Sequence, residues 1–351
     1  MDNSKIEINL LENSELLNNF NFVKYCLKNN IITQETIIGG RTLLDYSIVN
    51  KRRNFLDLLL QNKVDINIKS DNRTPLYISC LDGFDNIDII DELLSLKADP
   101  NIIDDRHGNS QSPLYIAIWN KNHTLVKKLL LAKADPNLGN KDRTPLHLLT
   151  HPLKIPLCDR FSLTGNESIN CIKFLINSNA DLTKRNSNGE TVIMSSCKYG
   201  NYHCLKILLQ YGFKKMTIDD RNYSMNICCE NNHSSCLNLL LKYKCSPNIK
   251  DKDNSLIPIN EAVKNNSKNC INNLISYKVN INNLDKDNKR PLHYAIDNNN
   301  EDIIKLLLIN KAFPRLGVED EINVIDYAIN EGNSDIVNLL QNNSNYRKRK
   351  R

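Results

Sequence analysis

Eleven cysteines and seven histidines are the side chains of this 351-residue sequence with the most chemistry to offer. The cysteine count is odd and no pair has CxxC spacing, so neither a disulfide framework nor a zinc ribbon is indicated. A thiolate nucleophile would need a base in fixed relation to it, and no histidine keeps such a relation to these cysteines. His147 and His151 stand four apart, the spacing of a two-histidine metal site on a helix, yet His151 precedes Pro152, where a helix is expected to end. HExxH, GxSxG, a phosphate-cradling glycine loop and paired carboxylates are all missing, and 11 Gly leave little material for a nucleotide loop. The expectation is a non-enzymatic protein with no cofactor, no metal and no small-molecule substrate.

Binding chemistry is better represented. The last five residues, Arg347, Lys348, Arg349, Lys350 and Arg351, supply five of the six units of formal net positive charge, so the body is nearly neutral. That argues against a nucleic-acid footprint on the folded surface and leaves the tail as a nuclear-import candidate or a solvated end. Asp2, Lys5, Glu7, Glu12 and Glu15 interrupt any signal peptide, and no stretch approaches 18 apolar residues. A cytoplasmic chain is expected, nuclear if the tail acts as an import signal, and without membrane contact. Charged residues are 25% and hydrophobic ones 40%, enough to bury a core. Asn is unusually common, 55 residues against 11 Gly and 11 Pro, so turns normally made by Gly and Pro must use Asn.

The elements that would position these groups emerge when the chain is written against itself. Anchors recur at Thr42-Leu43-Leu44, Thr74-Pro75-Leu76, Ser112-Pro113-Leu114, Thr144-Pro145-Leu146, Thr191-Val192-Ile193, Ser224-Met225-Asn226, Ile257-Pro258-Ile259, Arg290-Pro291-Leu292 and Asn323-Val324-Ile325. The last four intervals are each 33 residues, which marks a repeat array. Pro at the first turn with Thr or Ser before it starts a helix. Leu triplets such as Leu58-Leu59-Leu60 and Leu306-Leu307-Leu308 mark a second helix, and Ala98-Asp99-Pro100-Asn101 and Ala134-Asp135-Pro136-Asn137 mark the turn after it.

With Thr144-Pro145-Leu146-His147, Arg290-Pro291-Leu292-His293-Tyr294-Ala295 and these turns, the unit resembles the ankyrin repeat, over roughly residues 37–343. The resemblance implies an all-α solenoid of stacked helix-turn-helix units with β-hairpin-like loops, each unit burying its neighbour's apolar face. The expected division is an N-terminal capping half-repeat over 1–36, about nine repeats over 37–343 and a basic tail over 344–351. A loop insertion falls at 151–168, where Pro152 and Pro156 oppose helix. His147 becomes the family's motif histidine, part of a turn hydrogen-bond network.

Register then separates packing from recognition. Cys171, Cys204 and Cys270 share a slot with Leu125, Leu237 and Ile303, and Cys228 and Cys229 fall where other units have Ser195 or Ala295, so these thiols are expected as core. The slot where the family usually has Gly after helix two reads Lys63, Lys97, Lys133, Asn179, Gly212, Lys244, Lys278 and Lys311. These lysines are expected either as a basic stripe for an acidic partner or as solvated C-terminal charges favourable with the helix dipole. Trp119, the sole Trp, takes a slot that reads Val49, Leu81, His151, Lys198, Asn231, Lys264, Asp297 and Asn330 elsewhere, and is expected on the concave groove or packed on the adjacent insertion. The slot before the anchor holds Arg41, Arg73, Gln111 and Arg143 in the first four units, at hairpin positions that in this family contact partners.

The reading is a monomeric scaffold that binds another protein through its groove, with Arg73, Leu81, Trp119 and Arg143 as the partner-binding residues. Richness in Asn, Lys and Ile is similar to that of ankyrin proteins of poxviruses, other large DNA viruses, intracellular bacteria and protists, implying a host-modulating factor acting in a host cell. Alternatives are a nuclear-imported inhibitor of a transcription factor and a ubiquitin-ligase substrate adaptor, although residues 323–343 complete a repeat where the adaptors place an F-box-like segment. Asn67, Asn101, Asn137 and Asn248 resemble sites that asparaginyl hydroxylases modify in this family.

Overall fold

The computed structural model describes residues 19–33, 36–38, 40–82, 86–105, 110–140, 142–150, 165–248, 257–314 and 323–348. Among them, helix α1 (Phe20–Lys28) precedes nine helix pairs. The first four pairs are α2 (Leu43–Val49) with α3 (Arg53–Gln61), α4 (Pro75–Leu81) with α5 (Ile87–Ser95), α6 (Pro113–Trp119) with α7 (His123–Leu131), and α8 (Pro145–Thr150) with α9 (Gly165–Asn177). The next are α10 (Val192–Lys198) with α11 (Tyr202–Gly212), and α12 (Ile218–Glu230) with α13 (Ser234–Lys242). The last three are α14 (Pro258–Lys264) with α15 (Lys268–Ser276), α16 (Pro291–Asp297) with α17 (Glu301–Ile309), and α18 (Val324–Asn330) with α19 (Ser334–Lys348). The chain divides into two compact units between Gly189 and Glu190, with Thr150 grouping with the second.

Capping explains why the short first helices form. Thr42, Thr74, Ser112 and Thr191 accept from backbone N–H groups three residues on, and Pro75, Pro113, Pro258 and Pro291 open their helices where a missing N–H costs nothing. Asn122, Asn201 and Asn300 cap the second helices α7, α11 and α17 in the same way. Hairpin-like turns precede the first helices: β1 (Ile37–Ile38) pairs with β2 (Arg41–Thr42), and single bridges join Ser70 to Arg73 and Asp104 to Gln111.

Second helices end on left-handed residues. Lys63, Lys97, Lys133 and Asn179 in the first unit, and Lys244, Lys278 and Lys311 in the second, have φ between 56° and 73°. After every one of these except Lys63 the next residue turns back into the helix, as Ala98 N–H to the Leu93 carbonyl and Ala134 N–H to that of Leu129, closing a Schellman-type end. First helices end likewise at Lys51, Lys121, Asn232, Asn266 and Asn299. The Asn excess therefore has definite places: helix-two N-caps, helix-one left-handed ends, and the turn after helix two.

The structure corrects the sequence expectation at three points. Gly212 has φ −110°, not left-handed, because α11 runs on into a 3-10 turn over Phe213–Lys215. The following helix α12 starts at Ile218, with Thr217 and Asp220 forming a reciprocal capping box, so the anchor Ser224 lies mid-helix. At the insertion, α9 starts at Gly165, so residues 165–168 are helical; Glu167 in its first turn suits the helix N-terminus.

The core within each unit is the expected one. Cys171, Cys204 and Cys270 are as buried as Leu125, Leu237 and Ile303 in the same slot, and Cys228 and Cys229 are fully buried. Cys158 lies outside the described residues; the other ten thiols are free and buried. Burial pushes Cys171, Cys204, Cys236 and Cys245 up to about 12, which leaves them protonated and inert at neutral pH.

Candidate interaction groove

Three successive first helices of the first unit, α2, α4 and α6, end on apolar residues: Val49, Leu81 and Trp119. Val49 is half-buried, Leu81 is 37% exposed and Trp119 is 39% exposed, where a side chain free to bury itself would be covered. The carboxamide of Asn120, the cap of α6, donates to the carbonyls of Cys80 and Leu81 at 3.2 and 3.0 Å, which fixes the end of α6 against the end of α4.

Facing these helix ends is the hairpin side. A groove of about 650 Å³ lies between a lip made by Gly40, Arg41, Ser70, Asp71 and Arg73 and a floor made by Val49, Ile78, Leu81 and Asp82. Arg73 and Leu81 thus share one groove, whereas Trp119 and Arg143 fall in following repeats and do not line it. Arg73 is also held structurally: its Nε donates to Asp104 Oδ2 at 3.0 Å, and its guanidinium lies 5.7 Å from the Tyr77 ring centre. The Tyr77 hydroxyl donates to Gln111 at 3.1 Å, tying adjacent hairpins. Arg143 lies near Tyr115, whose hydroxyl burial pushes up to about 12.

Sequence reasoning missed what the same two slots do in the second unit. Glu190, immediately before its anchor, accepts from Lys198 at the helix-one end at 2.5 Å, and Lys289 donates to Asp297 at 2.9 Å across the equivalent positions. Lys289 also lies 5.5 and 5.2 Å from the ring centres of Tyr294 and Tyr327. In those repeats both slots are filled by the chain's own ion pairs, while in the first unit the helix-end slot is apolar. Comparing charges slot by slot would have shown this contrast.

The turn asparagines do structural work. Asn67, Asn101 and Asn137 each accept, through Oδ1, the backbone N–H of the next repeat's turn Asp, at 2.9, 2.7 and 2.7 Å to Asp99, Asp135 and Asp181. In the second unit Asn248 accepts from Asn280 N–H at 2.6 Å, and Asn282 from Phe313 N–H at 3.0 Å. The lysines beside them are all exposed. Lys63, Lys97 and Lys133 each stand two residues from Asp65, Asp99 and Asp135, so their charges alternate with carboxylates. In the second unit those positions are Ser246, Asn280 and Phe313.

His147 accepts from Thr144 N–H and meets the Thr144 hydroxyl at 2.8 Å, as the motif histidine should; His151 lies outside the described residues. Among the described residues no group of three or more His, Cys, Asp or Glu is placed to hold a metal, and no helix is long and apolar enough to cross a membrane. Arg347 and Lys348 end α19, and Arg349, Lys350 and Arg351 lie outside the described residues.

Comparison with known proteins agrees with this geometry. The profile of the family described as ankyrin repeats (3 copies) matches residues 14–104, 76–151, 162–251, 225–320 and 259–350. The putative ankyrin repeat protein R664 of Acanthamoeba polyphaga mimivirus is 34% identical over 101 residues, 28% of this chain and 60% of that one. The putative ankyrin repeat protein FPV031 of fowlpox virus is 34% identical over 116 residues, 32% and 34% of the two chains. The tyrosine-protein kinase HTK16 of Hydra vulgaris matches at 29% over 181 residues, 49% of this chain and 21% of the kinase. The matches thus span between about a fifth and three fifths of these relatives. In fold, the chain is similar to the ankyrin repeat domain of Bcl-3, with a TM-score of 0.54 at 21% identity, covering 68% of this chain and 99% of that one. The human ASB11 ankyrin repeat domain gives 0.52 at 19% with the same coverage. Paired helices, Schellman ends, hairpin turns and a family profile that spans most of the residues place this chain in the ankyrin-repeat family.

Proposed function

We propose that the protein is a non-catalytic interaction scaffold whose first unit binds a partner protein over Arg73, Leu81, Trp119 and Arg143, the first two lining one groove and the others following in the next two repeats. The working division is an N-terminal half-repeat over 1–36, nine repeats over 37–343 and a basic tail over 344–351. The observation that carries the reading is the pair Leu81 and Trp119, left exposed, with half-buried Val49 in the same slot, where Lys198 and Asp297 are internally paired. Exposed apolar side chains in a row beside a charged lip are what an interface centre requires. The viral relatives favour a host-directed partner. Capture of that partner from a host lysate should be lost with Trp119→Ala and Leu81→Ala while melting is unchanged; capture and melting both unaffected would end the proposal.

A second reading, an imported inhibitor of a nuclear transcription factor, is favoured by the run Arg347 to Arg351. Tagged chains with and without residues 347–351 should differ in nuclear signal; equal distribution removes it. Asn67, Asn101, Asn137 and Asn248 remain candidate hydroxylase substrates, and an enzyme reaching them must open the amide ladder that holds them.

A further inference from the structure

We infer that the groove of the first unit takes an extended, polyproline-II-like segment of about ten residues, with apolar side chains at every third position and carboxylates directed to Arg41 and Arg143. The inference rests on the groove reading above and specifies the shape and register of what occupies it.

Pitch is the first argument. Val49, Leu81 and Trp119 are the last residues of α2, α4 and α6, which pack in sequence. Packed helices stand about 8–10 Å apart, so the apolar row repeats at that distance. A polyproline-II chain has three residues per turn and rises about 3.1 Å per residue, so one face recurs every ~9.3 Å. A β-strand returns to a face after two residues, about 6.6 Å, and misses the row.

An α-helix also nears the pitch, since seven residues rise about 10.5 Å. That overshoots the row's spacing of about 8–10 Å, whereas the polyproline-II repeat of about 9.3 Å falls within it.

Charge supplies the ends. Arg73 is answered by Asp104, but no ion pair joins Arg41, Arg143 or Asp82 among the described residues. Arg41 and Arg143 hold the same slot in the first and fourth repeats, three pitches apart, about 24–30 Å. A polyproline-II segment covers that in eight to ten residues, roughly. Its apolar face lies on the row, its carboxylates meet Arg41 and Arg143 at the two ends of a lip that also carries Asp71, and its third face, polar or basic, passes Asp82.

The test is selection from a random library of 12-residue displayed peptides on the full chain, repeated on Leu81→Asp and on Trp119→Ala. The sole Trp gives a direct readout, because a peptide seated on Trp119 shifts its emission to the blue. The expected binders carry apolar residues at i, i+3 and i+6 with acidic neighbours, weaken about thirtyfold with either variant, and weaken less with Arg41→Ala or Arg143→Ala. Both variants change side chains that are more than a third exposed and should melt like the parent. Binders that need Leu81 and Trp119 but show a two- or seven-residue period overturn the polyproline register and leave the groove reading standing. Binders indifferent to both variants, or none at all, overturn both.

Discussion

The carboxamide oxygen of Asn101 accepts the backbone N–H of Asp135 at 2.7 Å, while its Nδ2 donates to the Lys133 carbonyl at 3.1 Å. One side chain thus satisfies a donor and an acceptor left over by the next repeat's turn. Its own backbone N–H goes to Asp99 Oδ1, and Asp99's N–H to Asn67, so side-chain and main-chain links alternate from repeat to repeat.

Asn101→Ala removes both amide bonds and leaves two turn groups to solvent. At about 1 kcal/mol net for each hydrogen bond, the loss should be roughly 2 kcal/mol. Asn101→Asp keeps the accepting oxygen and should lose about half of that. Urea unfolding midpoints at constant m-value measure it, and an unchanged midpoint in the Ala variant would show the ladder to be incidental.

These links also show what the sequence could reveal. Turn positions such as Asn101 and Asn137 stand out from the 33-residue period, and so do the core slots of Cys171, Cys204 and Cys270, because burial and turn geometry are periodic constraints. What a side chain touches in the next repeat is not periodic. Arg73 looks like a free hairpin arginine in the sequence, yet Asp104 and Tyr77 hold it. Gly212 looks like the best left-handed residue of its slot, but α11 runs through it, because the capping of α12 by Thr217 replaces the hairpin. Pairs such as Glu190 with Lys198 need two slots read together, and only the fold shows that those slots face each other.

Lys97 has φ 67°, a conformation costing a non-Gly residue about 1–2 kcal/mol. Lys97→Gly removes that strain, and the greater freedom of Gly in the unfolded chain offsets about half of it. The expected result is a gain of roughly 0.5–1 kcal/mol by thermal melting. Gly200 tests the opposite case. It has φ 65°, and an added Cβ would come within 2.6 Å of the His233 ring, whereas Gly332 at φ 73° has open space. Gly200→Ala should therefore lose more stability than Gly332→Ala, and equal losses would show that the ring moves aside at no cost.

Asp45 is fully buried, accepts from the Ser70 hydroxyl, and has Oδ1 unpartnered. Burial raises its pKa, outweighing the hydrogen bonds from Ser70 and Thr42 and the Arg41 charge. A carboxyl raised in the native state contributes its stability fully below the unfolded value, about 3.9, and loses it as pH climbs through the native one. Asp45→Asn keeps an acceptor for Ser70 without the charge. At pH 7 it should stabilise by an amount on the order of 1 kcal/mol, and the gain should vanish in acid. Urea titrations from pH 3.5 to 8 check both; a gain independent of pH would mean that the charge is not its source.

The ten buried thiols predict slow chemistry. In the folded protein a thiol reagent at pH 7.5 should find none of them open, and all ten should react together when urea unfolds the chain. Rapid native labelling of Cys228 or Cys229, identified by mass spectrometry, would contradict their assignment as core.

The pair Glu190 and Lys198 predicts an asymmetry. The carboxylate is only 2% exposed, while the ammonium side keeps about a third of its surface, 34%, in solvent. Removing the acid leaves a lysine that water can rehydrate, so Glu190→Gln should cost about 1 kcal/mol or less. Removing the base deprives a buried carboxylate of its ammonium, and Lys198→Ala should cost more, about 2–3 kcal/mol. Proton linkage gives a second signature, because the hydrogen bond from Lys198 to Glu190 raises the lysine pKa. A lysine raised in the native state stabilises fully below its unfolded value and loses that contribution as pH rises through the native one, so the parent should weaken in alkali more than Lys198→Ala does. Since neither residue lines the first unit's groove, neither substitution should alter binding there. A change in peptide affinity with Lys198→Ala at unchanged stability would place recognition in the second unit as well.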